Sequence, residues 1–355
     1  MQQLAAPAAI GDLTESFDRL CSLAAGPVCL AVSGGGDSMA LLVLAAGWAR
    51  QRGRPLLALT VDHGLRWEAT IEAHFVAEIA AGLGVQHRIL RWAAPMPGQA
   101  RARQARHDLL AAAAREAGSG LVLTAHTEDD QAETFLIRAR AGSGWYGLAG
   151  IQPVSLSPAA GEGGGDASPV FLARPLLHTS RAALRDVLRA AGKDWIEDPS
   201  NDNPAFERVR MRQRLSRTPG LRAQVLACQH KLQLLRQLQD RAIARWLRAH
   251  VLAAPDGALT ADAPLPSGER GERLLAHLIG LAAGRTRPLR ADALTRLAAR
   301  LAMPETFRPA TLGGAIVSRK QDTLRIRAEH GPPPALVNAI GARLVAMGTA
   351  CSGGV

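Results

Sequence analysis

The chain has 355 residues, 47% of them hydrophobic, which is enough to bury a sizeable core and to form two or three domains. Its formal net charge is +11, and only three of its 42 basic residues are lysine. Because the guanidinium fork matches phosphate oxygens, an arginine-rich surface favours phosphate-bearing partners. Aromatic residues make up only 4% of the chain, which disfavours a single-strand nucleic-acid binder built on stacking platforms.

The cysteines, at positions 21, 29, 228 and 351, have neither metal-binding nor Cys-x-x-Cys spacing. This pattern predicts a reducing compartment without disulfides or structural zinc. The N-terminus lacks a basic segment followed by a long apolar one, so no signal peptide is predicted. The longest uncharged apolar stretch, near 38–49, is too short to span a bilayer. We therefore expect a cytoplasmic protein with no membrane partner.

Residues 28–38 are the most informative segment of the first domain. Val28–Val32 is an apolar run typical of a buried parallel strand, and Ser38 begins a helical segment. Three glycines between them allow a sharp turn and a close approach of the backbone to a ligand. Free N–H groups at a helix start bind anions, so the loop is predicted to hold phosphate. The alternative is an ordinary strand-to-helix turn.

The loop fits neither the Walker pattern nor the dinucleotide pattern G-x-G-x-x-G. Its sequence, Ser-Gly-Gly-x-Asp-Ser after a strand, resembles the pyrophosphate loop of the ATP pyrophosphatases. That resemblance implies cleavage of ATP between the α and β phosphates, with adenylation of a substrate oxygen. The predicted ATP-binding residues are Ser33, Gly34, Gly35, Gly36, Asp37 and Ser38.

Strands and helices alternate along the first half of the chain. Strands are predicted at 28–32, 56–62, 85–90 and 121–125, and helices at 68–82, 99–117 and 129–140. Such alternation predicts an α/β fold with a doubly wound parallel sheet, of the ATP pyrophosphatase type. In the helix at 68–82, one face is expected to carry Ile71, Phe75, Val76 and Ile79. Polar clusters at 33–38, 62–66 and 126–133 follow strands and should face one crevice.

Four carboxylates crowd the segment after His126, namely Glu128, Asp129, Asp130 and Glu133. The helix dipole favours anions in a first turn, so a purely structural role is one interpretation. If the segment faces the phosphate loop, the carboxylates could instead hold Mg²⁺ or the ammonium of a small substrate. Asp130 and Glu133 are three residues apart and share a helix face, whereas Glu128 is expected to be a solvated helix start.

Five segments occur in the order seen in tRNA(Ile)-lysidine synthetases, and the chain resembles that family. They are 33–38, 61–66, 102–107, 124–134, and 174–177 together with 195–201 and the arginines that follow. A weaker match at 311–314 resembles the C-terminal hairpin of the family. One departure is Thr127, which stands where the family usually has a second histidine.

The resemblance implies ligation of free L-lysine to C2 of the wobble cytidine of tRNA(Ile) with anticodon CAU. ATP and Mg²⁺ are the implied cofactors, and an adenylated tRNA precedes lysidine, AMP and diphosphate. Whether the enzyme is a homodimer is left open. Two rivals remain: a tRNA thiolase of the same loop family, which usually has paired cysteines, and a non-catalytic RNA-binding relative.

Roles follow from this resemblance as hypotheses. Asp37 carries or orients Mg²⁺, and His126 contacts the α-phosphate or adenylate unless it merely caps the next helix. Asp130 and Glu133 hold the lysine amine. Arg103 and Arg106, on one helix face, stabilise phosphate charge. The alternative is that they form a solvated basic face.

Residues 174–217 are the expected tRNA contact surface of the first domain. Arg181 and Arg185 are spaced for one helix face, and Asp198–Asn201 is a turn signal. The arginines at 208, 210, 212, 214 and 217 would spread around a helix, so several should reach solvent. We predict phosphate contacts by Arg181, Arg208, Arg210 and Arg212, with a solubilising face as the alternative.

Three regions are expected: a catalytic domain at 1–217, a helical tRNA-binding domain at 218–330 and a flexible tail at 331–355. The second should contain a helix at 221–248, further helices within 272–302 and a hairpin around Gln321-Asp322. The apolar positions of the long helix are supplied by Val225, Leu226, Leu232, Leu235 and Leu238. Residues 155–170 look like a flexible insertion.

Overall fold

The structure is a computed structural model that describes residues 11–64, 68–93, 98–157, 169–197, 203–254, 256–284, 289–320 and 323–330. The described residues form two compact units, the first up to Ser157 and over Val170–Arg236, the second from Gln237 onward. The domain boundary expected at 217–218 stays a prediction. The turn at 198–201, Arg66, the Gln321-Asp322 turn, most of the insertion at 155–170 and the tail at 331–355 lie outside the described residues.

The first unit alternates strands and helices as predicted. Its described helices are α1 (Gly11–Cys21), α2 (Gly36–Arg52), α3 (Glu68–Gly82), α4 (Gln99–Glu116), α5 (Glu128–Arg140), α6 (Trp145–Leu148), α7 (Arg181–Ala190) and α8 (Glu207–Arg217). Its strands are β1 (Val28–Ala31), β2 (Leu56–Asp62), β3 (Gln86–Arg91), β4 (Leu121–Leu123), β5 (Val154–Leu156) and β6 (Phe171–Ala173). A long helix, α9 (Leu221–His250), runs from the first unit into the second.

The strands of the first unit form a sheet in the order β3-β2-β1-β4-β6-β5. All neighbours run parallel except the edge strand β5, which is antiparallel to β6. This confirms the predicted doubly wound parallel sheet. Strand order reverses between β1 and β4, and ligands of such sheets bind beyond the carboxyl ends at that point. The loops that follow β1 and β4 are therefore the places to look for a site.

Helix α3 confirms its predicted range, and the residues of its predicted apolar face differ in burial. Ala73, Val76 and Ala80 are buried, whereas the side chain of Ile71 is 57% exposed. The helix packs against β2 and β3.

The second unit combines an antiparallel sheet with helices. Its described elements are α10 (Glu269–Ala282), α11 (Ala291–Leu301), β7 (Val251–Ala253), β8 (Leu259–Ala261), β9 (Ala310–Leu312), β10 (Ala315–Lys320) and β11 (Thr323–Ala328). The strands pair in the order β7-β8-β11-β10-β9. The predicted hairpin is β10–β11, and α10 packs on it through a core that includes Leu274, Leu278 and Val317.

The long helix α9 confirms its predicted range, and its apolar positions differ in burial. Val225 is buried, whereas Leu235 and Leu238 are largely exposed. No helix within the described ranges combines the length and apolarity that crossing a bilayer requires.

Candidate active site

The loop between β1 and α2 is closed by hydrogen bonds from its own residues. The Ser33 N–H donates to Ser38 Oγ at 3.1 Å, and the Ser38 hydroxyl donates to the Gly35 carbonyl at 2.8 Å. Gly34 has φ +86°, a left-handed conformation that favours glycine, and its carbonyl accepts the Ile196 N–H at 3.0 Å. Among the described residues no side chain caps the start of α2. The loop thus offers helix N–H groups to an anion.

Arg185 lies across the start of α2. A Cβ at Gly36 would overlap its guanidinium, so a larger residue there would force the Arg185 side chain to move. Arg185 Nη1 is 3.8 Å from Asp37 Oδ1, and its guanidinium stacks on the Trp195 ring at 4.8 Å. Both Arg185 Nη1 and Asp37 Oδ1 are buried without a hydrogen-bond partner. Buried polar atoms normally make hydrogen bonds, so these two atoms are candidate contacts for a ligand of the phosphate loop.

The residues at this point fit Mg²⁺ held together with phosphate. Mg²⁺ binds proteins through one or two carboxylates plus substrate phosphates, and Asp37 Oδ1 is an unused carboxylate oxygen beside the loop. Burial raises the pKa of Asp37, although the charge of Arg181 opposes that shift. Across the described ranges no group of three or more His, Cys, Asp or Glu side chains could hold a metal by itself.

Arg181, at the start of α7, joins the loop to α5. Its Nε donates to Asp37 Oδ2 at 3.1 Å, its Nη1 to Glu133 Oε1 at 2.7 Å and its Nη2 to Asp130 Oδ1 at 2.5 Å. Asp130 and Glu133 therefore share a helix face, as predicted. The predicted ATP-binding and lysine-binding carboxylates meet in one crevice around a single guanidinium.

Two arginines of α8 complete the pairing of these carboxylates. Arg208 Nε donates to Glu133 Oε2 at 2.7 Å, and Arg212 Nε donates to Glu133 Oε1 at 2.9 Å. Arg208 Nη2 also lies 3.2 Å from Asp130 Oδ1. Burial opposes ionisation of Glu133, which is 1% exposed, but Arg181 and then Arg208 outweigh it and lower its pKa. Glu133 is thus held in its ionised form, and both predicted lysine-binding carboxylates are paired with arginine.

Helix α8 divides its arginines between two faces. Arg208 and Arg212, one turn apart, point toward the carboxylates of α5. The exposed set is Arg210, Arg214 and Arg217, spaced along the opposite face. Arg210 donates to the backbone carbonyl of Pro204 at 2.8 Å. Several arginines reach solvent as expected, while the tRNA contacts of Arg181, Arg208, Arg210 and Arg212 stay predictions.

His126 lies just beyond β4, where Thr124 Oγ1 is 3.0 Å from its Nδ1. Burial lowers its pKa to about 3, and Arg174 and Arg208 add to the effect. The imidazole is therefore neutral at physiological pH. Thr127, not His126, caps α5, so the alternative of a capping histidine is wrong. Glu128 is not simply solvated either, because it accepts Arg222 Nη2 at 2.7 Å.

We expect the NMR resonances of the His126 ring to stay constant from about pH 5 to pH 8, because the imidazole binds no proton in that range. The spectrum of His126→Gln identifies the resonance. A titration with a midpoint near the ordinary histidine value of about 6.5 would contradict the electrostatics described here.

Thr127 forms a reciprocal cap with Asp130. The Asp130 N–H donates to Thr127 Oγ1 at 3.3 Å, and the Thr127 N–H donates to Asp130 Oδ2 at 2.8 Å. Thr127→Ala should therefore lower the free energy of unfolding by about 1 kcal/mol, measured by urea denaturation. Thr127→Ser, which keeps the oxygen, is the control. Equal losses in the two variants would show that the cap is not the cause.

Arg174, which the sequence did not single out individually, is a buried cation without a carboxylate partner among the described residues. Its Nη1 donates to the Gln152 carbonyl at 2.8 Å and its Nη2 to Ser155 Oγ at 3.0 Å, while its Nε is unpaired. Burial lowers its pKa to about 10, so it stays charged. Arg174 follows β6, and the neighbouring strand β4 leads to His126. The charge of Arg174 therefore gives that end of the sheet a positive field.

The predicted catalytic arginines lie on α4. Arg103 and Arg106 are exposed, and Arg106 Nη2 is 3.3 Å from His63 Nε2. Burial, then the charges of Arg103 and Arg106, lower the pKa of His107 to about 4. Their field thus adds to that of Arg174, which suits a bound anion. Their contact with phosphate stays a prediction.

Comparison with known proteins gives consistent matches. Residues 11–218 match the family model of the PP-loop domain. The chain is 48% identical to the tRNA(Ile)-lysidine synthase of Hyphomonas neptunium over 94% of this chain and 88% of that protein. It is 40% identical to the tRNA(Ile)-lysidine synthase of Methylobacterium sp. (strain 4-46) over 87% and 90% of the two chains. Among solved structures, the U34-tRNA thiolase NcsA from Methanococcus maripaludis superposes with a TM-score of 0.47 at 14% identity, covering 62% of this chain and 78% of that one.

Proposed function

Because the chain belongs to the tRNA(Ile)-lysidine synthase family, we propose that it joins L-lysine to C2 of the wobble cytidine of tRNA(Ile) with anticodon CAU, at the expense of ATP. The observation that supports this most is the single crevice in which Arg181 links Asp37 of the phosphate loop to Asp130 and Glu133. An enzyme that activates a base and then attacks it with an amine needs both groups within one site.

The reaction has two balanced steps. The C2 oxygen of cytidine attacks the α-phosphorus of ATP, and diphosphate leaves. The ε-amine of lysine then attacks the C2 carbon, and AMP leaves with the oxygen that was on the base. Adenylation is needed because the free C2 oxygen is a very poor leaving group. The amine must also lose a proton, since the pKa of lysine in solution is about 10.4.

The nucleotide end of the crevice is proposed to hold the triphosphate. The N–H groups of Ser33–Ser38 and the buried Nη1 of Arg185 would bind its oxygens. Asp37 would hold Mg²⁺, which supplies charge neutralisation between the phosphates when bound. Neutral His126 would contact the α-phosphate without adding a competing proton, and Arg103 and Arg106 would stabilise charge on the adenylate.

The opposite end is proposed to bind lysine. Asp130 and Glu133 would hold its ε-ammonium and one of them would accept the proton before attack. Since ATP, tRNA and free lysine share the cytoplasm, we propose that location. A homodimer stays a prediction.

The exposed arginines of α8 are proposed to contact tRNA phosphates. We expect Arg210→Gln to weaken tRNA binding at low salt and to reduce the slope of log affinity against log salt by about one. Arg88→Gln is the control, because Arg88 is an exposed arginine of β3 outside residues 174–217 and pairs with Glu116. The contact would be refuted if Arg210→Gln left the slope of log affinity against log salt unchanged. It would also be refuted if the tRNA affinity of the unaltered protein did not change with salt.

A thiolase is disfavoured by the state of the cysteines. Cys21 and Cys29 are buried, and burial raises the pKa of Cys21 to about 12. The thiolate, not the thiol, is the reactive form, so this residue is a poor sulfur carrier. Cys228 is exposed but has no second described cysteine beside it.

Incorporation of labelled lysine into tRNA tests the proposal directly. The protein is expected to transfer lysine to tRNA(Ile) with anticodon CAU only when ATP is present, and to release AMP. The same tRNA with uridine at the wobble position is the control and should accept none, because the proposed acceptor is cytidine. Tight tRNA binding without any incorporation would favour a non-catalytic RNA-binding protein instead.

A further inference from the structure

The carboxylates of the crevice carry no net negative charge to offer a ligand. Asp37, Asp130 and Glu133 are contacted by Arg181, Arg185, Arg208 and Arg212, so three carboxylates meet four guanidinium groups. A lysine ammonium entering this cluster would meet guanidinium groups already on both carboxylates that are proposed to bind it. Unless one guanidinium leaves, the ammonium gains little electrostatic attraction.

We propose that Arg181 is an internal cation that occupies the amine site until nucleotide binds, when its guanidinium moves to the phosphates and the lysine ammonium takes its place. This inference rests on the proposed function, because it presumes that lysine binds at Asp130 and Glu133. Arg181 is thereby a positioning residue that couples the two substrates.

Arg181 is better placed for this exchange than the arginines of α8. The Nε of Arg181 already contacts Asp37, which follows Gly36 in the phosphate loop. Of the three carboxylates, Arg208 and Arg212 contact only those on α5. Phosphate oxygens arriving beside Asp37 would compete directly for the Arg181 guanidinium, and bidentate arginine–phosphate pairs are strong. Arg185, one turn along α7, already has an unpaired Nη1 at that position.

The exchange needs only a side-chain movement. The backbone at the start of α7 is anchored, because the Arg181 N–H donates to Asp129 Oδ2 at 2.8 Å and Ser180 Oγ accepts the Ala183 N–H at 3.2 Å. The helix can therefore stay in place while the guanidinium swings between the carboxylates and the loop.

Departure of Arg181 would also prepare the carboxylates for proton transfer. Its hydrogen bond and charge are the largest influences that lower the pKa of Glu133 against burial. Without them Glu133 becomes a stronger base beside the bound ammonium. Proton removal would thus be favoured only after nucleotide has entered.

Calorimetric titration of lysine into the intact protein tests the coupling, with and without α,β-methylene-ATP, which cannot be cleaved between its α and β phosphates. In the unaltered protein the analogue should tighten lysine binding about tenfold or more, and lysine should tighten binding of the analogue equally. In Arg181→Gln, lysine should bind without nucleotide, and the analogue should change its affinity by less than about threefold. Arg189→Gln should keep the coupling of the unaltered protein.

Equal lysine affinity with and without the analogue in the unaltered protein would overturn the inference, whatever the variants do. Full coupling retained in Arg181→Gln would overturn the assignment to Arg181. If Arg181→Gln does not fold, Arg181→Lys replaces it. The single ammonium of lysine cannot bridge three carboxylates, so the coupling in this variant should be weaker. Undiminished coupling would count against Arg181.

Labelled-lysine incorporation by the unaltered protein is measured in parallel. Incorporation without coupling rejects this inference alone, whereas no incorporation rejects the proposed function.

Discussion

Asp37→Ala is expected to slow AMP formation from ATP, lysine and tRNA by about 100-fold or more, the loss typical of removing one group that stabilises transition-state charge. Asp37 lies in the first turn of α2, and its Oδ1 is buried beside the phosphate loop without a hydrogen bond. The variant removes both this proposed Mg²⁺ ligand and the Oδ2 that receives Arg181. The measurement is AMP release under saturating substrates.

Asp186→Ala is the matched control for Asp37→Ala. Asp186 lies on α7 and is largely exposed, where it pairs only with Arg189 among the contacts described. Its replacement should leave AMP formation unchanged. Near-normal turnover in Asp37→Ala would refute the assignment of the loop to ATP.

Glu133→Gln is expected to abolish most lysine transfer and to destabilise the first unit. Losing a charged partner from a buried pair typically costs about 3–5 kcal/mol, because the opposite charge is left uncompensated. The three arginines around Glu133 are 22–41% exposed, so water screens part of that loss. We expect the free energy of unfolding at pH 7 to fall by about 2 kcal/mol, measured by urea denaturation.

The same variant should lose the pH dependence that Glu133 provides. Because folding lowers its pKa, its contribution is complete above the unfolded value of about 4.5 and disappears as the pH falls through the lower folded value. The stability gap between Glu133→Gln and the unaltered protein should therefore narrow in acid. Glu116→Gln, at an exposed pair with Arg88, is the control and should show little gap at any pH. A gap that widens in acid would contradict the pairing.

The parts of the site that local sequence determines were predictable. Three glycines between an apolar strand and a helix predict the phosphate loop, and the structure has β1, that loop and α2 in those places. The three-residue spacing of Asp130 and Glu133 predicts a shared face, which their common contact with Arg181 confirms. Such features depend on backbone geometry within a few residues.

The pairing of carboxylates with arginines was not predictable from the chain. Arg181 and Arg212 lie 48 and 79 residues from Glu133, and their contacts depend on how α7 and α8 pack against α5. Local spacing assigned these arginines to tRNA, since nothing in a short window shows which partner a charge will meet. Similarly, the burial of Arg174 depends on carbonyl and hydroxyl groups of the chain 19 to 22 residues before it.

The second unit shows the same limit for short strands. Strand β11 alternates polar and apolar residues from Thr323 to Arg327, which suffices to predict a hairpin with the preceding strand β10. Strands β7, β8 and β9 have three residues each, too few to display a period. They are fixed by pairing with the hairpin and with one another.

The fate of the cytidine C2 oxygen tests the central claim most directly. A tRNA(Ile) whose wobble cytidine carries a heavy oxygen isotope at C2 would be converted with ATP and lysine, and the products weighed by mass spectrometry. Adenylation of that oxygen predicts the heavy isotope in AMP and none in diphosphate or in the modified base. Heavy isotope retained in the tRNA after lysine has been added would contradict the account.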